Sequence, residues 1–180
     1  MSGYCELYQR LGVDTAQDEE KPGVQHRAGQ LVKASVHINR DPRDLYDLWR
    51  NLTNLPQVMK HLQSVTTLDE NRSHSVAEGP FGHRLQWDAE IINDDPGELI
   101  AWQSLPGAEV DNAGSVHFRP SVDGIGTEVS VAIRYDPPGG CVVAKLASIF
   151  GQGLQQELTE DLRRFKQQME TGEVATAATT

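Results

Sequence analysis

The feature that most constrains the fold is a long amphipathic stripe near the end of the chain. Between Cys141 and Met169, apolar residues recur at three- and four-residue steps, which is the spacing of one face of an α-helix. They are Leu146, Phe150, Leu154, Leu158, Leu162, Phe165 and Met169. Charged and amide side chains fill the opposite side. The pattern predicts one long helix whose apolar face needs a broad apolar surface opposite it, either packed against it or separated from it by a ligand.

One strand and two short helices are predicted ahead of the central region. Residues from Gln30 to Ile38 alternate between apolar and polar side chains, which is the period of a half-buried strand. Asp41 and Pro42 then form a helix start, with a capping carboxylate followed by proline at the first helical position. Pro56 would break a continuous helix but suits the first turn of a new one. We therefore expect two short helices directly after the first strand.

The region from Ser64 to Tyr135 has strand periodicity and no helical period. Short alternating runs are separated by turn residues, a pattern typical of an antiparallel meander. In one hairpin, a register that pairs Phe118 with Val129 also places an arginine opposite a glutamate on the other face. One alignment therefore satisfies both faces of this hairpin.

A second hairpin is expected to close at the polar turn 93–97. This closure places Trp87 near Trp102 and Ala89 near Ile100 on the same face. Two tryptophans are thus predicted to share the inner surface of the sheet.

Charge and hydropathy exclude several classes of protein. The formal net charge of -10 at pH 7 opposes the phosphate contacts of a general nucleic-acid binder. No apolar run approaches the ~20 residues of a membrane-spanning helix. A transient contact with a membrane surface remains compatible with the sequence. The first residues lack the basic start and apolar core of a secretory signal. We therefore expect a cytoplasmic protein.

The length of 180 residues predicts one domain with tails. Residues 1–29 are mostly polar and are expected to form a flexible leader. Residues 30–171 should form the folded domain, and residues 172–180 a flexible tail. The oligomeric state is left open by the sequence.

Several dispersed motifs in this order resemble a known superfamily. They are Val36-His37-Ile38 before Asp41-Pro42, Trp49 with Asn54-Leu55-Pro56, Glu78-Gly79-Pro80, Trp87-Asp88-Ala89-Glu90-Ile91, Ile100-Ala101-Trp102, Gly114-Ser115-Val116-His117-Phe118, Gly126-Thr127-Glu128-Val129, Tyr135-Asp136-Pro137-Pro138-Gly139 and Leu162-Arg163-Arg164-Phe165-Lys166. Through them the chain resembles the polyketide cyclase/dehydrase and lipid-transport proteins of the START-like (SRPBCC) superfamily. That superfamily also includes coenzyme-Q-binding START-like proteins.

The resemblance implies an α+β helix-grip fold over roughly residues 30–171. In this fold a curved antiparallel sheet, with two short helices after its first strand, wraps around a long C-terminal helix. Relatives hold lipids, quinones, polyketides or other apolar molecules in a cavity between the sheet and the helix. Because these relatives include both enzymes and carriers, the fold does not decide the function.

The residues expected to line this cavity share the inner side of their strands or the apolar face of the helix. They are Leu85, Trp87, Ile100, Trp102, Phe118, Val131, Ile133, Tyr135, Phe150 and Leu154. Such a set would form an apolar pocket with few polar groups, and the alternative is an ordinary packed core. The phenol of Tyr135 needs a hydrogen-bond partner, which a ligand, a water or a loop carbonyl would supply. Whether the segment 150–154 touches the sheet decides between core and cavity.

No residue pattern indicates a metal or a cofactor. The six histidines lack the spacing of familiar metal motifs, and no cysteine or carboxylate cluster completes a site. His37 and His117 lie on the water-facing side of their strands and are expected at the surface. The remaining candidates for acid–base catalysis are Tyr135, with His61 and His83 at the rim of the pocket.

Three functions follow, in order of preference. The first is non-catalytic binding or transport of a small hydrophobic ligand, such as a lipid, a quinone or a polyketide-like molecule. The second is a polyketide cyclase or dehydratase that uses the same cavity. The third is a structural or stress-related interaction protein with a closed cavity, which exposed apolar surface on the leader or at Leu99 and Ala101 would favour.

Overall fold

The chain folds into one antiparallel sheet, two short helices and one long helix. The computed structural model describes residues 30–78, 82, 84–136 and 144–172, and the side chains of residues 136 and 144–152 lie outside this description. The strands are β1 Gln30–Ile38, β2 Leu62–Thr67, β3 Arg72–Glu78, β4 Arg84–Asp95, β5 Leu99–Ser104, β6 Asp111–Pro120 and β7 Thr127–Asp136. The helices are α1 Pro42–Arg50, a 3-10 turn Leu52–Asn54, α2 Leu55–Val58 and α3 Ala144–Thr171.

The seven strands lie in the order β1-β7-β6-β5-β4-β3-β2, and the sheet curls around α3. This arrangement confirms the predicted helix-grip architecture. Within the described ranges, no helix combines the length and the apolar character needed to cross a membrane.

The local predictions before the meander are confirmed. The first strand has the predicted bounds, Gln30–Ile38. The side chain of Asp41 accepts a hydrogen bond from the backbone N–H of Arg43 at 2.8 Å, and proline follows it at the first position of α1. This bond satisfies one of the unpaired donors at the helix start. A new short helix then begins at Leu55, immediately before Pro56.

The two predicted hairpins have different outcomes. Phe118 pairs with Val129 and Arg119 with Glu128, as the sequence predicted. The predicted pairings of Trp87 with Trp102 and of Ala89 with Ile100 are both wrong. Trp102 lies opposite Ile91, and Ala89 lies opposite Ser104.

The physical reason for the wrong register is the length of β4. This strand continues to Asp95, so that only three residues remain for the turn, and a bulge between Ile91 and Asn93 shifts the pairing. The extra residue shifts the alternation of β4 after Ile91, so that Asp94, opposite Ile100, also faces inwards. Trp87 and Ala89 precede the bulge and still share the inner face with Ile100 and Trp102, although their cross-strand neighbours differ from the prediction.

Helix α3 buries Leu158, Leu162 and Phe165, which are at most 2% exposed, against the inner face of the sheet. The predicted start at Cys141 lies outside the described residues, and the helix ends at Thr171, in agreement with the predicted end at Thr171-Gly172. The predicted leader and all but the first residue of the predicted tail also lie outside the described residues.

Polar side chains hold α3 along its flank to the backbone of β1. The side-chain amide of Gln155 accepts a hydrogen bond from Lys33 N at 3.2 Å and donates one to Lys33 O. One turn after Leu162, Lys166 Nζ donates to His37 O at 2.9 Å, and Glu170 accepts from the backbone N–H that follows β1 at 2.8 Å. The helix is therefore fixed to the first strand at three successive levels.

Several side chains on the outer face of the sheet are less exposed than their outward orientation suggests. Leu99 is 6% and Ala101 is 1% exposed, so they do not form the exposed apolar surface that would favour the interaction protein. His117 has the predicted outward orientation but is half-buried, and its Nε2 is buried without a hydrogen-bond partner among the described residues. Alternation along a strand predicts the face of a side chain, but the packing of neighbours on that face decides its exposure.

Candidate functional site

The inner face of the sheet has a closed end, at which side chains fill the space under the helices. Among the predicted lining residues, Ile100, Phe118 and Val131 are at most 2% exposed. Phe118 makes edge-to-face contacts with Tyr46 and Trp49 of α1, with ring centroids 6.1 and 6.3 Å apart. At this end, the predicted lining residues therefore form an ordinary packed core and not a pocket.

The aromatic cluster of the closed end continues into α3 and is fastened to β4. Trp49 contacts Phe165 edge to face at 5.4 Å. The hydroxyl of Tyr46 donates to Asp94, whose carboxylate also accepts from Arg50 Nε at 2.7 Å. Burial and the Asp94 carboxylate raise the pKa of Tyr46 to about 12, so that the phenol stays protonated as a donor. This end of the molecule is structural.

At the other end of the inner face, five of the predicted lining residues are only half-buried, whereas Tyr135 is buried. The five are Leu85, Trp87, Trp102, Ile133 and Leu154. They lie on β4, β5, β7 and α3, towards the end of the sheet at which α3 begins. We refer to these five residues as the open end, because their side chains are only partly buried, and all but Leu85 are packed against the core cluster.

Gly114 determines how Trp102 lies in the open end. The two residues are directly opposite on β5 and β6, and Ile133 follows on β7. A Cβ atom on Gly114 would come within 2.5 Å of Trp102 Cζ2 and 2.8 Å of the carbonyl oxygen of Ala132. Because only glycine leaves this space, the indole can lie directly against the backbone of β6.

Tyr135 has a partner that the sequence analysis did not include. Its hydroxyl donates to the side-chain oxygen of Gln30 at 2.9 Å, and the two residues are opposite each other on β1 and β7. The side chain is buried, and burial raises the pKa of Tyr135. A phenol that is neutral and hydrogen-bonded within the sheet is poorly suited to act as a general base.

Two serines on β3 add polar groups that the sequence analysis missed. Ser75 lies opposite Trp87 and Ser73 opposite Ala89, so both face inwards. They are 7% and 6% exposed. Their positions follow from the same alternation that placed Trp87, which was the available signal. The open end therefore has two hydroxyl groups beside its aromatic wall.

Among the acid–base candidates, His61 is the one whose imidazole is paired with a buried carboxylate, as in many catalytic sites. Its Nδ1 lies 3.1 Å from Asp161 Oδ2, and the Asp161 side chain is only 2% exposed. The other oxygen of Asp161 accepts from Lys60 N at 3.3 Å and pairs with Arg164 Nη2 at 3.1 Å. A buried carboxylate thus holds one ring nitrogen of the imidazole, while the His61 side chain remains 24% exposed.

The position of His61 relates it to the open end. It directly precedes Leu62, which pairs with Ala77 on β3, and Ala77 pairs with Leu85 on β4. His61 therefore lies at the same end of the sheet as a predicted lining residue. Asp161 was not predicted, although it lies three residues after Leu158 and four before Phe165, at the edge of the apolar stripe, and this spacing was the available signal.

Several of the predicted features lie outside the described residues, and others are not found among them. His83 and the side chain of Phe150 lie outside the described residues. A Cβ on Gly153 would meet no atom within 4 Å, so this glycine does not serve a close approach to the sheet. In the described part of the chain, no three histidine, cysteine or acidic side chains are grouped to hold a metal ion.

Comparisons with known proteins agree with this geometry. The family described as polyketide cyclase/dehydrase and lipid transport matches residues 38–163. A protein of Deinococcus radiodurans with a crystal structure is 41% identical, with a TM-score of 0.66 over 79% of this chain and 98% of that chain. An uncharacterised 17.2 kDa protein of Streptomyces lincolnensis is 27% identical over 139 residues, which are 77% of this chain and 89% of the relative.

A more distant likeness concerns the fold alone. The Zhui aromatase/cyclase of Streptomyces sp. R1128 is 14% identical, with a TM-score of 0.66 over 84% of this chain and 99% of that chain. Both structures share the curled sheet around a C-terminal helix.

Proposed function

The chain belongs to the polyketide cyclase/dehydrase and lipid transport family, and from this premise we propose that it binds and carries a small hydrophobic molecule at the open end. The ligand class is a lipid, a quinone or a polyketide-like molecule. Apolar walls with a few well-placed polar groups are typical of small-molecule sites. The family is known to include both carriers and enzymes, so the residues themselves must support the choice.

The observation that carries the proposal is the contrast between the two ends of the inner face. Trp49, Phe118 and Phe165 close one end with rings in mutual contact. Trp87 and Trp102 at the other end are half-buried, although they are the largest side chains there. Large aromatic side chains that stay partly uncovered beside a core provide apolar area for a ligand. The hydroxyls of Ser73 and Ser75 would orient a polar group of that ligand.

Changing Trp102 to alanine should weaken the binding of a neutral apolar probe, N-phenyl-1-naphthylamine, at least tenfold. The physical reason is the loss of one aromatic wall, since an aromatic ring buries on the order of 150–250 Å². The dissociation constant is measured by fluorescence titration of the full chain. Val122→Ser is the matched control, because Val122 is fully exposed on the β6–β7 turn and should leave the affinity unchanged.

The natural ligand is sought by purifying the protein without detergent and analysing the denatured sample by mass spectrometry. A stoichiometric apolar molecule supports the carrier. If the empty protein binds no probe, or if Val122→Ser weakens binding as much as Trp102→Ala, the proposal is rejected.

A second candidate function is acid–base catalysis of a cyclase or dehydratase type, and the pairing of His61 with Asp161 favours it. A base held by a buried carboxylate is an arrangement suited to proton transfer. In a dehydration, His61 Nε2 would take a proton from the carbon beside a carbonyl group and return it to the hydroxyl group that leaves as water. The carbon–hydrogen and carbon–oxygen bonds break, and a carbon–carbon double bond forms.

For this candidate we expect the protein to accelerate hydrogen–deuterium exchange at the carbon between the carbonyls of 2,4-nonanedione. His61→Gln should reduce the acceleration at least 100-fold, since general acid–base catalysis contributes about 10²–10⁴-fold. The exchange is followed by NMR at saturating diketone, so that a change in binding is separated from a change in catalysis. Exchange by the unchanged protein at the rate of buffer alone would exclude this candidate while leaving the carrier proposal intact.

A further inference from the structure

A second concave site lies at the opposite end of the sheet from the open end. It is an open groove of ≈ 1100 Å³ between the link from β1 to α1, the β4–β5 turn and the β6–β7 turn. Leu99, His117 and Phe118 line it along β5 and β6. None of the residues predicted to line the inner pocket belongs to this groove except Phe118. The groove is therefore separate from the proposed hydrophobic site.

Local bonds give the groove a defined shape. Thr127 Oγ1 donates to Arg40 O at 2.7 Å, and Arg40 Nε donates to Met169 O at 2.6 Å, which fixes the link after β1. Gly126 has a φ of +81°, and a Cβ there would lie 2.5 Å from Ile38 O. The β6–β7 turn thus packs directly on the end of β1, as only glycine allows. A wall built in this way needs little ordering when a ligand binds.

Positive side chains enter the groove from three segments, with Arg40 in the link, Arg43 in α1 and Arg119 in β6. Arg119 lies opposite Glu128 in the register, yet among the described residues it forms neither an ion pair nor a hydrogen bond. Arg43 is near Asp47, at 3.4 Å, but both side chains are more than 60% exposed, which makes this pair weak. The Arg43 guanidinium also lies over the ring of Tyr46, 5.7 Å from its centroid, so Arg119 is the guanidinium that remains available to a ligand.

His117 adds a polar group that lacks a partner. Its Nε2 is buried and has no hydrogen-bond partner in the described ranges. Burial, together with the neighbouring Arg119, lowers the pKa of His117, so that the ring is neutral near pH 7. Because this atom is enclosed, the neutral ring forms part of the wall of the groove beside Arg119.

We propose that the groove binds an organic molecule that carries a single oxyanion group, either a carboxylate or a phosphate. The guanidinium of Arg119 pairs with the oxyanion, since its planar donors match the geometry of such groups. Leu99 and Ile125 contact the apolar part of the ligand. The carboxylates of Asp41, Asp95 and Glu98 also line the groove and disfavour a ligand that carries several anionic groups.

The test uses the full chain with three probes of similar shape, namely benzoate, phenyl phosphate and the neutral benzamide. Backbone amide shifts are recorded by NMR during each titration. We expect saturable shifts in residues 95, 97–99, 117–119 and 124–126 with at least one of the two anions and none there with benzamide. The anion that saturates first distinguishes a carboxylate site from a phosphate site.

Arg119→Gln should weaken the binding of that anion at least tenfold, since hydrogen bonds to charged groups are among the stronger ones. Arg163→Gln is the matched control, because it removes the same charge at an exposed position on α3 and should have no effect. Equal weakening by both variants would show general charge attraction and overturn the proposal. Equal binding of benzamide, shifts confined to Trp87 and Trp102, or no localised shift with either anion would also overturn it, and none of these outcomes bears on the carrier proposal.

Discussion

Replacing Trp49 with alanine should lower the free energy of unfolding by about 4 kcal/mol, the middle of the range for removing a large buried aromatic side chain. Trp49 is 2% exposed and makes edge-to-face contacts with Phe118 and Phe165. It therefore connects α1, β6 and α3 in a single cluster. Its removal deletes the buried apolar area, the ring contacts on both sides and the packing that keeps the closed end filled.

The loss is measured by urea denaturation followed by circular dichroism at equilibrium. Trp87→Ala is the matched control, because Trp87 is the same residue type in the half-buried open end. We expect this control to cost only about 1–2 kcal/mol, in proportion to its smaller buried area. Similar losses in the two variants would contradict the division of the inner face into a closed and an open end.

Replacing Asp161 with alanine should cost about 3 kcal/mol, because a buried carboxylate is removed from a cluster of donors. The side chain accepts from His61 and Lys60 and pairs with Arg164. Without it, the guanidinium and the imidazole lose their acceptor, and both are only about a quarter exposed. Their partial contact with water keeps the cost at the lower end of the range for breaking a buried ion pair.

Thermal and urea unfolding of Asp161→Ala, Asp161→Asn and Glu157→Ala provide the measurement. Asparagine keeps the volume and one acceptor oxygen, so we expect it to recover part of the loss. Glu157 is exposed one turn earlier in α3, and its removal should change the stability by less than about 0.5 kcal/mol. If Asp161→Ala and Glu157→Ala were equally stable, the cluster would not contribute to holding α3 on the link before β2.

The sequence was sufficient to predict the elements whose signals are local. Alternation placed the inner residues of β4, β6 and β7 correctly, and the hairpin with Phe118 opposite Val129 had two faces to fix its register. The N-cap at Asp41 depends on residues adjacent in the chain. Such features follow from short-range periodicity and capping chemistry, which a single sequence contains.

The features that were missed depend on contacts between distant parts of the chain. The partner of Asp161 is His61, 100 residues earlier, so the sequence showed a carboxylate at the edge of the apolar stripe without the donors that bury it. The division of the pocket depends on where Tyr46 and Trp49 of α1 project onto β6. The bulge after Ile91 changed the pairing and shifted the alternation beyond it, while the inner positions up to Ile91 stayed as predicted. Sequence alternation therefore predicts faces more reliably than it predicts neighbours.

The hydrogen bonds between α3 and β1 have a consequence for the behaviour of the protein in a crowded solution. Because β1 is the first strand in the order of the sheet, its outer backbone groups would be free to pair with a strand of another chain. Gln155, Lys166 and Glu170 occupy those groups at intervals along the strand and its end. Helix α3 thus also protects the β1 edge of the sheet against edge-to-edge aggregation. Any ligand that entered by displacing the whole helix would remove that protection.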